Sequence, residues 1–218
     1  ELIAIIDQYD GLAVRSACKP DADVIAAATK LKVIGRAGIG VDNIDIPACT
    51  EAGLPVCNTP AANADAVAEL AVGLMFSMAR WIPQGHASVT AGGWDRRIGT
   101  QLGGKTLGIV GMGRIGQAVA HRAKAFGLDL VYHNRKRQPE AVERMFGATY
   151  VDTLGELLET ADILTLHCPS NPQSHHMIDR QAIGRMKDGA CLINTARGDL
   201  VDQEALIEAL ELAHDLFA

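Results

Sequence analysis

The chain has 218 residues and a formal net charge of −6, and 48% of its residues are hydrophobic. This composition is typical of a soluble protein with one large or two small domains, and it excludes a largely disordered chain. The negative charge argues against nucleic acid as the main partner, since a phosphate backbone requires a basic face. The longest apolar stretch, LAVGLMFSMA, is too short to span a membrane and is predicted to form a buried helix.

The five cysteines are scattered and lack the paired spacing of a zinc or redox site. Such cysteines fit a reducing compartment, so we predict a cytoplasmic protein that binds no metal. The N-terminal segment ELIAIIDQYD has neither the basic lead nor the cleavage site of a secretory signal. We therefore expect a protein that acts on small molecules and has no membrane partner.

Two series of alternating strands and helices are predicted along the chain. In the first, GLAVRS, KVIGRAG and LPVCNT are strands, and DADVIAAATK and DIPACTEAG are the helices between them. A long helix then runs from about Asp65 until Pro83 ends or kinks it. In the second series, TLGIVG, LDLVYHN, ADILTLHC and ACLINTA are strands, with helices after the first three. The alternation predicts an α/β fold with parallel sheets, divided into domains of residues 1–62 and 63–218.

The segment GMGRIG has the glycine spacing of a dinucleotide-binding turn and lies between a predicted strand and a predicted helix. In such a turn Gly111 permits a tight bend, Gly113 lets a pyrophosphate approach the backbone, and Gly116 lets the helix pack on the strand. Arg114 and Ile115 lie within the motif and are expected to contact the cofactor. The sequence therefore predicts a bound dinucleotide.

A second glycine pair lies in the segment GRAGIGVDN. Gly38 and Gly40 have the first spacing of the same motif, but Asn43 stands in the third glycine's place and no clear helix follows. Two interpretations stay open on the residues alone: a tight turn at a strand end, and a ring of exposed amides that holds an anion.

The residues after the next predicted strand indicate which dinucleotide binds. An acidic residue usually stands there, about 20 residues beyond the glycines, and hydrogen-bonds the adenosine ribose. This chain instead has Asn134, followed by three cations in the segment RKR. A carboxylate would repel a ribose 2′-phosphate, whereas basic side chains can pair with it. We predict that Asn134, Arg135 and Lys136 select NADP(H), with NAD(H) as the alternative; the competing interpretation is a solvated basic surface.

Six motifs, in this order, resemble the D-isomer-specific 2-hydroxyacid dehydrogenases: VRSACK, LKVIGRAGIGVDNID, NTP with AVAELAVGLM, GKTLGIVGMGRIG, LHCP and LINTARGDLVD. They cover nearly all of the chain from Gly11 to Leu206. Within the family, YHNRKR is most similar to NADPH-dependent glyoxylate and hydroxypyruvate reductases, and VRSA with RAGIGVDN is also similar to D-3-phosphoglycerate dehydrogenase. The resemblance implies two Rossmann-like or flavodoxin-like domains, an active site in the cleft between them, and usually a dimer.

The resemblance also implies roles for individual residues. Arg197, in NTARG, matches the catalytic arginine that holds the substrate's carboxylate and keto oxygen, where a guanidinium would stabilise the developing oxyanion. Ile39 and Gly40 match the residues whose amides receive the substrate carboxylate, and this favours the anion-binding interpretation of the second glycine pair. Arg15 is similar to a substrate-side arginine of the phosphoglycerate enzymes. The remaining implied cofactor contacts are Thr195 and Ala196, near the nicotinamide, and Cys168 and Pro169, beside the adenosine.

The chain departs from the family in its proton donor. The resemblance implies a histidine paired with a glutamate beyond the arginine, and neither segment occurs; His214 lacks the flanking residues of that motif. His175 and His176 are expected to be solvated loop residues. The family's opening strand and helix are absent too, so both domains are expected to be partial. Two explanations of these absences compete: the residues are the retained part of a complete enzyme, or they form a truncated chain that cannot turn over. We expect the first, because truncation would expose a sheet edge.

These observations predict an NADPH-dependent reductase of a small 2-keto acid, glyoxylate or hydroxypyruvate, that forms the D-2-hydroxy acid and acts as a homodimer. One alternative is D-3-phosphoglycerate dehydrogenase, which is disfavoured because its usual NAD preference conflicts with the basic run. An alternative of another class is a non-catalytic protein that senses NAD(P), like the corepressors that share this fold.

Overall fold

The computed structural model describes residues 1–217, with side chains as far as residue 212. The chain divides into two compact units, one comprising Glu1–Asn63 and the other beginning at Ala64. Each unit contains a parallel sheet with helices, so the predicted α/β fold class is confirmed. The side chain of His214 lies outside the described residues.

The first unit is a parallel sheet whose three strands lie side by side in chain order. Its elements are β1 (Gly11–Val14), α1 (Ala22–Ala27), β2 (Val33–Arg36), α2 (Ile46–Glu51) and β3 (Val56–Asn58), preceded by 3-10 turns at Leu2–Ala4 and Ile6–Gln8. Asp21 and Asp45 start the two helices, because each carboxylate accepts a hydrogen bond from an amide in the first turn. Val14, Ile34 and Cys49 lie in the core between sheet and helices.

The second unit contains a five-stranded sheet and most of the helices. Its elements are α3 (Ala64–Ala79), α4 (Ile82–Thr90), β4 (Thr106–Val110), α5 (Arg114–Ala125), β5 (Asp129–His133), α6 (Glu140–Phe146), β6 (Ala148–Tyr150), α7 (Leu154–Thr160), β7 (Ile163–Leu166), α8 (Arg180–Ile183), β8 (Cys191–Asn194), a 3-10 turn at Gly198–Leu200, and α9 (Gln203–Phe217). Because β4 and β7 carry side chains that are buried on both faces of the sheet, these strands form the centre of the unit.

The strand order of the second unit is β6-β5-β4-β7-β8, and every pairing is parallel. The chain therefore starts in the middle at β4, adds β5 and β6 on one side, and then crosses to β7 and β8 on the other. In sheets of this kind ligands bind at the carboxyl ends of the strands where the order reverses. The reversal lies between β4 and β7.

Two elements of the structure were not predicted, and one helix break lies at a different position. Strand β6 and helix α7 were not predicted, although Thr153 caps α7 by accepting a hydrogen bond from the amide of Glu156. The break in the long helix precedes Pro83: α3 ends at Ala79, Trp81 has a left-handed backbone with φ 54°, and Pro83 lies in the first turn of α4. Proline is readily accommodated there because the first turn needs no intrahelical amide donor.

The prediction that α3 is a buried helix is wrong for one of its faces. Ala68, Ala71 and Met75 are buried in the core of the second unit. Leu70 and Leu74, on the opposite face, are 57% and 41% exposed. The apolar residues of α3 thus occupy two faces of the helix, and only one of these faces packs against the second unit. In the described part of the chain no single helix is long and apolar enough to cross a membrane, and only the pair α3 and α4, bent by 65°, meets the length and composition criterion jointly.

Candidate functional site

The carboxyl ends of β4, β5 and β7 surround a cavity of about 710 Å³ in the second unit. This volume falls in the range of small-molecule sites, about 300–1,000 Å³. The predicted site residues that line it are Gly111, Gly113, Asn134, Arg135, Lys136, Cys168 and Pro169. The lining residues that sequence reasoning did not identify are Val110, His133, His167, Asn171, Gln173, Ser174 and Met177. The cavity lies at the reversal point of the sheet, where the strand order places a ligand.

The glycine turn after β4 has the close packing that its motif requires. Gly111 has φ 96°, a left-handed conformation, and a Cβ there would lie 2.8 Å from the backbone of His167 and Cys168. A Cβ at Gly116 would overlap the carbonyl oxygen of Gly111. Larger residues at these two positions would therefore push the start of α5 away from the sheet.

The same turn leaves space for a cofactor. A Cβ at Gly113 would meet no heavy atom within 4 Å, and Gly113 lines the cavity. Gly113 is also the N-cap of α5, and no side chain caps this helix end. The amides of the first turn, which begins with Arg114 and Ile115, are donors of the kind that bind a pyrophosphate. The residues present therefore fit a dinucleotide.

Asn134 links the glycine turn to the basic segment that follows β5. Its Oδ1 accepts a hydrogen bond from the amide of Met112 at 3.2 Å, and its Nδ2 donates to the carbonyl of Lys136 at 3.1 Å. Arg135 and Lys136 are exposed residues that line the cavity. The position that often carries a ribose-binding carboxylate thus holds an amide, with two cations beside it.

Arg137 has a different environment from its two basic neighbours. Its Nε and Nη2 each donate to the Glu143 carboxylate at 2.8 Å, and its guanidinium lies 5.6 Å from the ring centroid of Tyr150. Within the described chain it does not line the cavity. Of the three consecutive basic residues, Arg135 and Lys136 therefore line the cavity, whereas Arg137 forms an ion pair with Glu143.

His167 is a partly buried imidazole on the cavity wall. Burial lowers the pKa of His167 to about 4, so the ring is neutral at neutral pH. Its Nε2 lies 2.9 Å from Thr165 Oγ1, whereas its buried Nδ1 has no hydrogen-bond partner among the described residues. Such an atom suits a ligand's polar group, since a buried polar group without a partner is costly. A neutral ring of low basicity is a poor general acid.

Arg197, with Thr195 and Ala196, follows β8, the strand next to β7. Asn194 holds this turn: its Nδ2 donates to the carbonyl of Arg197 at 2.7 Å, and its Oδ1 accepts from the amide of Ala196 at 3.0 Å. The Arg197 side chain is half-buried and donates to the carbonyl of Ala196. Sequence reasoning missed Asn194, although asparagine is a typical residue for fixing a turn of this kind.

The second glycine pair lies in the first unit, in the loop after β2. The Gly38 amide donates to Thr59 Oγ1 at 2.8 Å, and Asn58 donates to the carbonyl of Ile39 at 2.7 Å. The guanidinium of Arg36 covers Gly38 so closely that a Cβ would collide with it. Ile39 and Gly40 are half-buried within this loop.

Arg15 lies directly after β1 in the same unit and is exposed. Its carbonyl accepts a hydrogen bond from Asn43 at 2.9 Å. Asn43 also donates to Cys18. Asn43, in the third glycine's place, thus joins the loops after β1 and β2.

His175 and His176 are exposed and stack on one another with ring centroids 3.9 Å apart. Neither histidine lines the cavity of the described unit. The five cysteines are free thiols. No cluster of three or more histidine, cysteine or acidic side chains that could hold a metal occurs between residues 1 and 212.

A comparison with known protein families shows to which family the chain belongs. The sequence profile described as D-isomer specific 2-hydroxyacid dehydrogenase, NAD binding domain, matches residues 72–216. The chain belongs to this family. The matched range contains the glycine turn, the cavity and the turn that carries Arg197, and the predicted resemblance to this family is confirmed.

Curated relatives of the chain include D-3-phosphoglycerate dehydrogenases and hydroxypyruvate or glyoxylate reductases. It is 50% identical over 97% of its length to a D-3-phosphoglycerate dehydrogenase of Methanocaldococcus jannaschii, of which it spans 40%. It is 46% identical over 95% of its length to a hydroxypyruvate reductase of Thermotoga maritima, of which it spans 67%. Among solved structures, a glyoxylate reductase from Paecilomyes thermophila is similar, with a TM-score of 0.87, 38% identity and coverage of 97% of this chain and 67% of that one. The chain thus spans two fifths to two thirds of these relatives.

Proposed function

We propose that the protein reduces a small 2-keto acid, glyoxylate or hydroxypyruvate, to the D-2-hydroxy acid with NADPH. The observation that carries the cofactor choice is the edge of the cavity after β5, where Asn134 stands beside Arg135 and Lys136. A ribose 2′-phosphate at this edge would pair with two cations and meet no carboxylate from Asn134. Family membership supports the class of reaction.

In this proposal the residues of the glycine turn bind and orient the cofactor, and a bound NADPH supplies the hydride. The amides at the start of α5 hold the pyrophosphate, and Cys168 and Pro169 border the adenosine. Thr195 and Ala196 border the nicotinamide. Tight positioning at these contacts lowers the entropic cost of bringing the reactants together.

Arg197 is the proposed catalytic residue. Its guanidinium holds the substrate's carboxylate and the keto oxygen, and it stabilises the negative charge that forms on that oxygen as the carbon accepts hydride. Asn194 fixes the turn from which the side chain extends. The resulting alkoxide needs one proton, and His167 is not its source because its pKa is lowered to about 4. We assign no proton donor within residues 1–212.

We further propose that the unit of residues 1–62 binds the substrate. The amides of Ile39 and Gly40 receive the carboxylate, and the loop that holds them is fixed by Thr59 and Asn58. Arg15 contributes a cation on the substrate side. A small keto acid fits this assignment because it carries one carboxylate and no further charge.

The test is steady-state kinetics of the purified full-length protein. NADPH and NADH are each combined with glyoxylate, hydroxypyruvate and 3-phosphohydroxypyruvate. The proposal expects kcat/KM for an unphosphorylated acid with NADPH to exceed the other combinations by at least about tenfold. Faster reduction of the phosphorylated acid with NADH would refute it, and tight NADPH binding without any turnover would favour the non-catalytic sensor.

A second candidate is oxidation of D-3-phosphoglycerate, which the identity of 50% to the Methanocaldococcus jannaschii enzyme favours. The first unit offers a structural basis for it, since Arg36 covers the Gly38 loop and its Nη2 donates to Ser16, next to Arg15. Two cations there could hold a substrate phosphate. Replacement of Arg15 by glutamine should then reduce kcat/KM for phosphorylated substrates only.

We propose that the protein is a cytoplasmic homodimer. Leu70, Leu74 and Met78 form an exposed apolar row on α3, and Trp81 and Ile82 extend it. An apolar surface of this kind is typical of an interface with a second copy. The free thiols fit a reducing compartment. Sedimentation of the full-length protein would give twice the chain mass, and a monomer at micromolar concentration would refute the dimer.

A further inference from the structure

Residues 134–138 form the segment that presents Arg135 and Lys136 to the cavity, and we call this segment the basic loop. We infer that Glu143 and Tyr132 are positioning residues for cofactor choice: they hold Arg137 as the anchor of the basic loop, so that Arg135 and Lys136 face the 2′-phosphate of NADPH. The inference rests on the proposed function and deepens it, because it assigns cofactor selection to residues that do not touch the cofactor.

The first observation is a hydrogen-bond network behind the loop. Glu143, on α6, has a side chain that is only 9% exposed, and both of its oxygens accept from Arg137 at 2.8 Å. Tyr132, on β5, is fully buried; its hydroxyl donates to Glu143 at 2.7 Å and accepts from the Gln138 amide at 2.9 Å. A bidentate pair fixes the orientation of a guanidinium as well as its distance. The C-terminal end of the loop is therefore held by two elements, β5 and α6.

The second observation is that the N-terminal end of the loop is held as well. Asn134 accepts from the Met112 amide and donates to the Lys136 carbonyl. The Tyr150 hydroxyl lies 3.5 Å from the Asn134 carbonyl, while its ring lies under the Arg137 guanidinium. The two cavity-facing residues are thus the middle of a short segment that is fixed at both ends.

The charges of the network agree with this role. Hydrogen bonds from Arg137, and then from Tyr132, lower the pKa of Glu143 to about 2, so its carboxylate is ionised at neutral pH. Burial, and then Glu143, raise the pKa of Tyr132 to about 12, so the phenol keeps its proton. Arg137 and Glu143 therefore neutralise each other. Arg135 and Lys136 then supply the positive charge that the cavity presents.

The alternative is that Arg137 is a third direct ligand of the phosphate. The two readings predict opposite effects for Glu143→Gln. If Arg137 acts by charge, removal of the nearby carboxylate increases the positive potential and tightens NADPH binding. If Glu143 positions the loop, the same substitution releases Arg137 and weakens NADPH binding.

The experiment is titration of the full-length protein with NADPH and with NADH for Glu143→Gln, Tyr132→Phe and a matched control. The control is Glu140→Gln, which removes the exposed Glu140–Arg144 pair from the same helix. We expect both network variants to raise the NADPH Kd at least about fivefold and to change the NADH Kd less than about twofold. The control should match the wild type for both cofactors.

Arg137 provides a second, independent comparison. Arg137→Lys keeps the charge and loses the fork that pairs with Glu143. We expect it to lose most of the NADPH preference that Arg137→Gln loses. Retention of the wild-type preference by Arg137→Lys, or tighter NADPH binding by Glu143→Gln, would overturn the positioning role.

Hydrogen exchange reports the loop itself. In Glu143→Gln and Tyr132→Phe, peptides that cover residues 134–138 should exchange faster than in the wild type and in Glu140→Gln. Tyr132→Phe removes the hydroxyl that accepts from the Gln138 amide, and Glu143→Gln removes the carboxylate that pairs with Arg137. Unchanged exchange together with an unchanged NADPH preference would overturn the inference alone. A wild-type protein that binds NADH at least as tightly as NADPH would overturn the proposed cofactor choice and the inference with it.

Discussion

Gly116→Ala is expected to separate α5 from β4 and to weaken both stability and cofactor binding. The new Cβ would lie 3.1 Å from the carbonyl carbon of Gly111 and 3.3 Å from Ile109 Cγ2, and it would overlap the Gly111 oxygen. Because the closest neighbour is backbone, the clash cannot be relieved by rotation of a side chain. The helix itself has to shift.

The magnitude follows from that overlap. Overpacking of a well-packed contact costs about 1–3 kcal/mol. For a chain of this size, such a loss lowers the Tm by roughly 2–12 °C. The shift also moves the uncapped amides at the start of α5, and the loss of one hydrogen bond to a charged group weakens NADPH binding by at least about tenfold.

Gly113→Ala is the matched control. A Cβ at Gly113 meets no heavy atom within 4 Å, and the residue has φ −81°, which alanine adopts without strain. Its cost in stability should stay below about 1 kcal/mol. The methyl group nevertheless enters the cavity where the pyrophosphate approaches, so NADPH binding should fall as far as in Gly116→Ala.

Thermal unfolding by circular dichroism and NADPH titration by fluorescence, on both variants, separate the two effects. Gly116→Ala should lower the Tm more than Gly113→Ala does, and both variants should bind NADPH more weakly. A Tm for Gly116→Ala no lower than that of Gly113→Ala would refute the packing argument, and normal NADPH affinity of Gly113→Ala would refute the proposed placement of the pyrophosphate.

Three further predictions follow from the site. Replacement of both Arg135 and Lys136 by glutamine should weaken NADPH binding by about 10- to 100-fold and NADH binding by less than about threefold, because two charge-assisted contacts are lost; equal loss for both cofactors in a titration would contradict the selector. Arg197→Lys should lower kcat/KM at least about 100-fold with an unchanged NADPH Kd, and a loss of cofactor affinity instead would place Arg197 outside the substrate site. The pKa of His167 falls from 6.5 to about 4 on folding, so the free energy of unfolding is unaffected by this group above pH 6.5 and decreases as the pH drops towards 4, by about 3 kcal/mol at most. Urea unfolding at several pH values should show a smaller decrease in this free energy for His167→Gln than for the wild type. An equal decrease would contradict the assignment of the pKa shift to burial.

Residues that line the cavity could be identified from the sequence where they lie in short, continuous segments. The glycine turn and the basic loop each occupy a few adjacent positions after a strand, and the parallel order of β4 and β5 brings the two strand ends together. Asn134 and Gly113 could thus be placed from spacing alone. The same locality explains why the alternation of strands and helices predicted the fold class.

The positioning network could not be predicted in this way. Glu143 reads as one of several charged residues on a helix, and its burial depends on how α6 packs against β5. In the sequence Arg137 is equivalent to its two basic neighbours, and only the structure shows that its guanidinium pairs with Glu143. The exposed face of α3 was missed for a related reason, since an apolar composition does not show how many faces of a helix its own unit covers.

The measurement that tests the central claim most directly is the pair of dissociation constants of the full-length protein for NADPH and NADH, determined by calorimetry at one ionic strength. The proposed function predicts that NADPH binds at least about tenfold more tightly, because Arg135 and Lys136 line the cavity and Asn134 supplies no carboxylate. Equal or tighter binding of NADH would contradict the account.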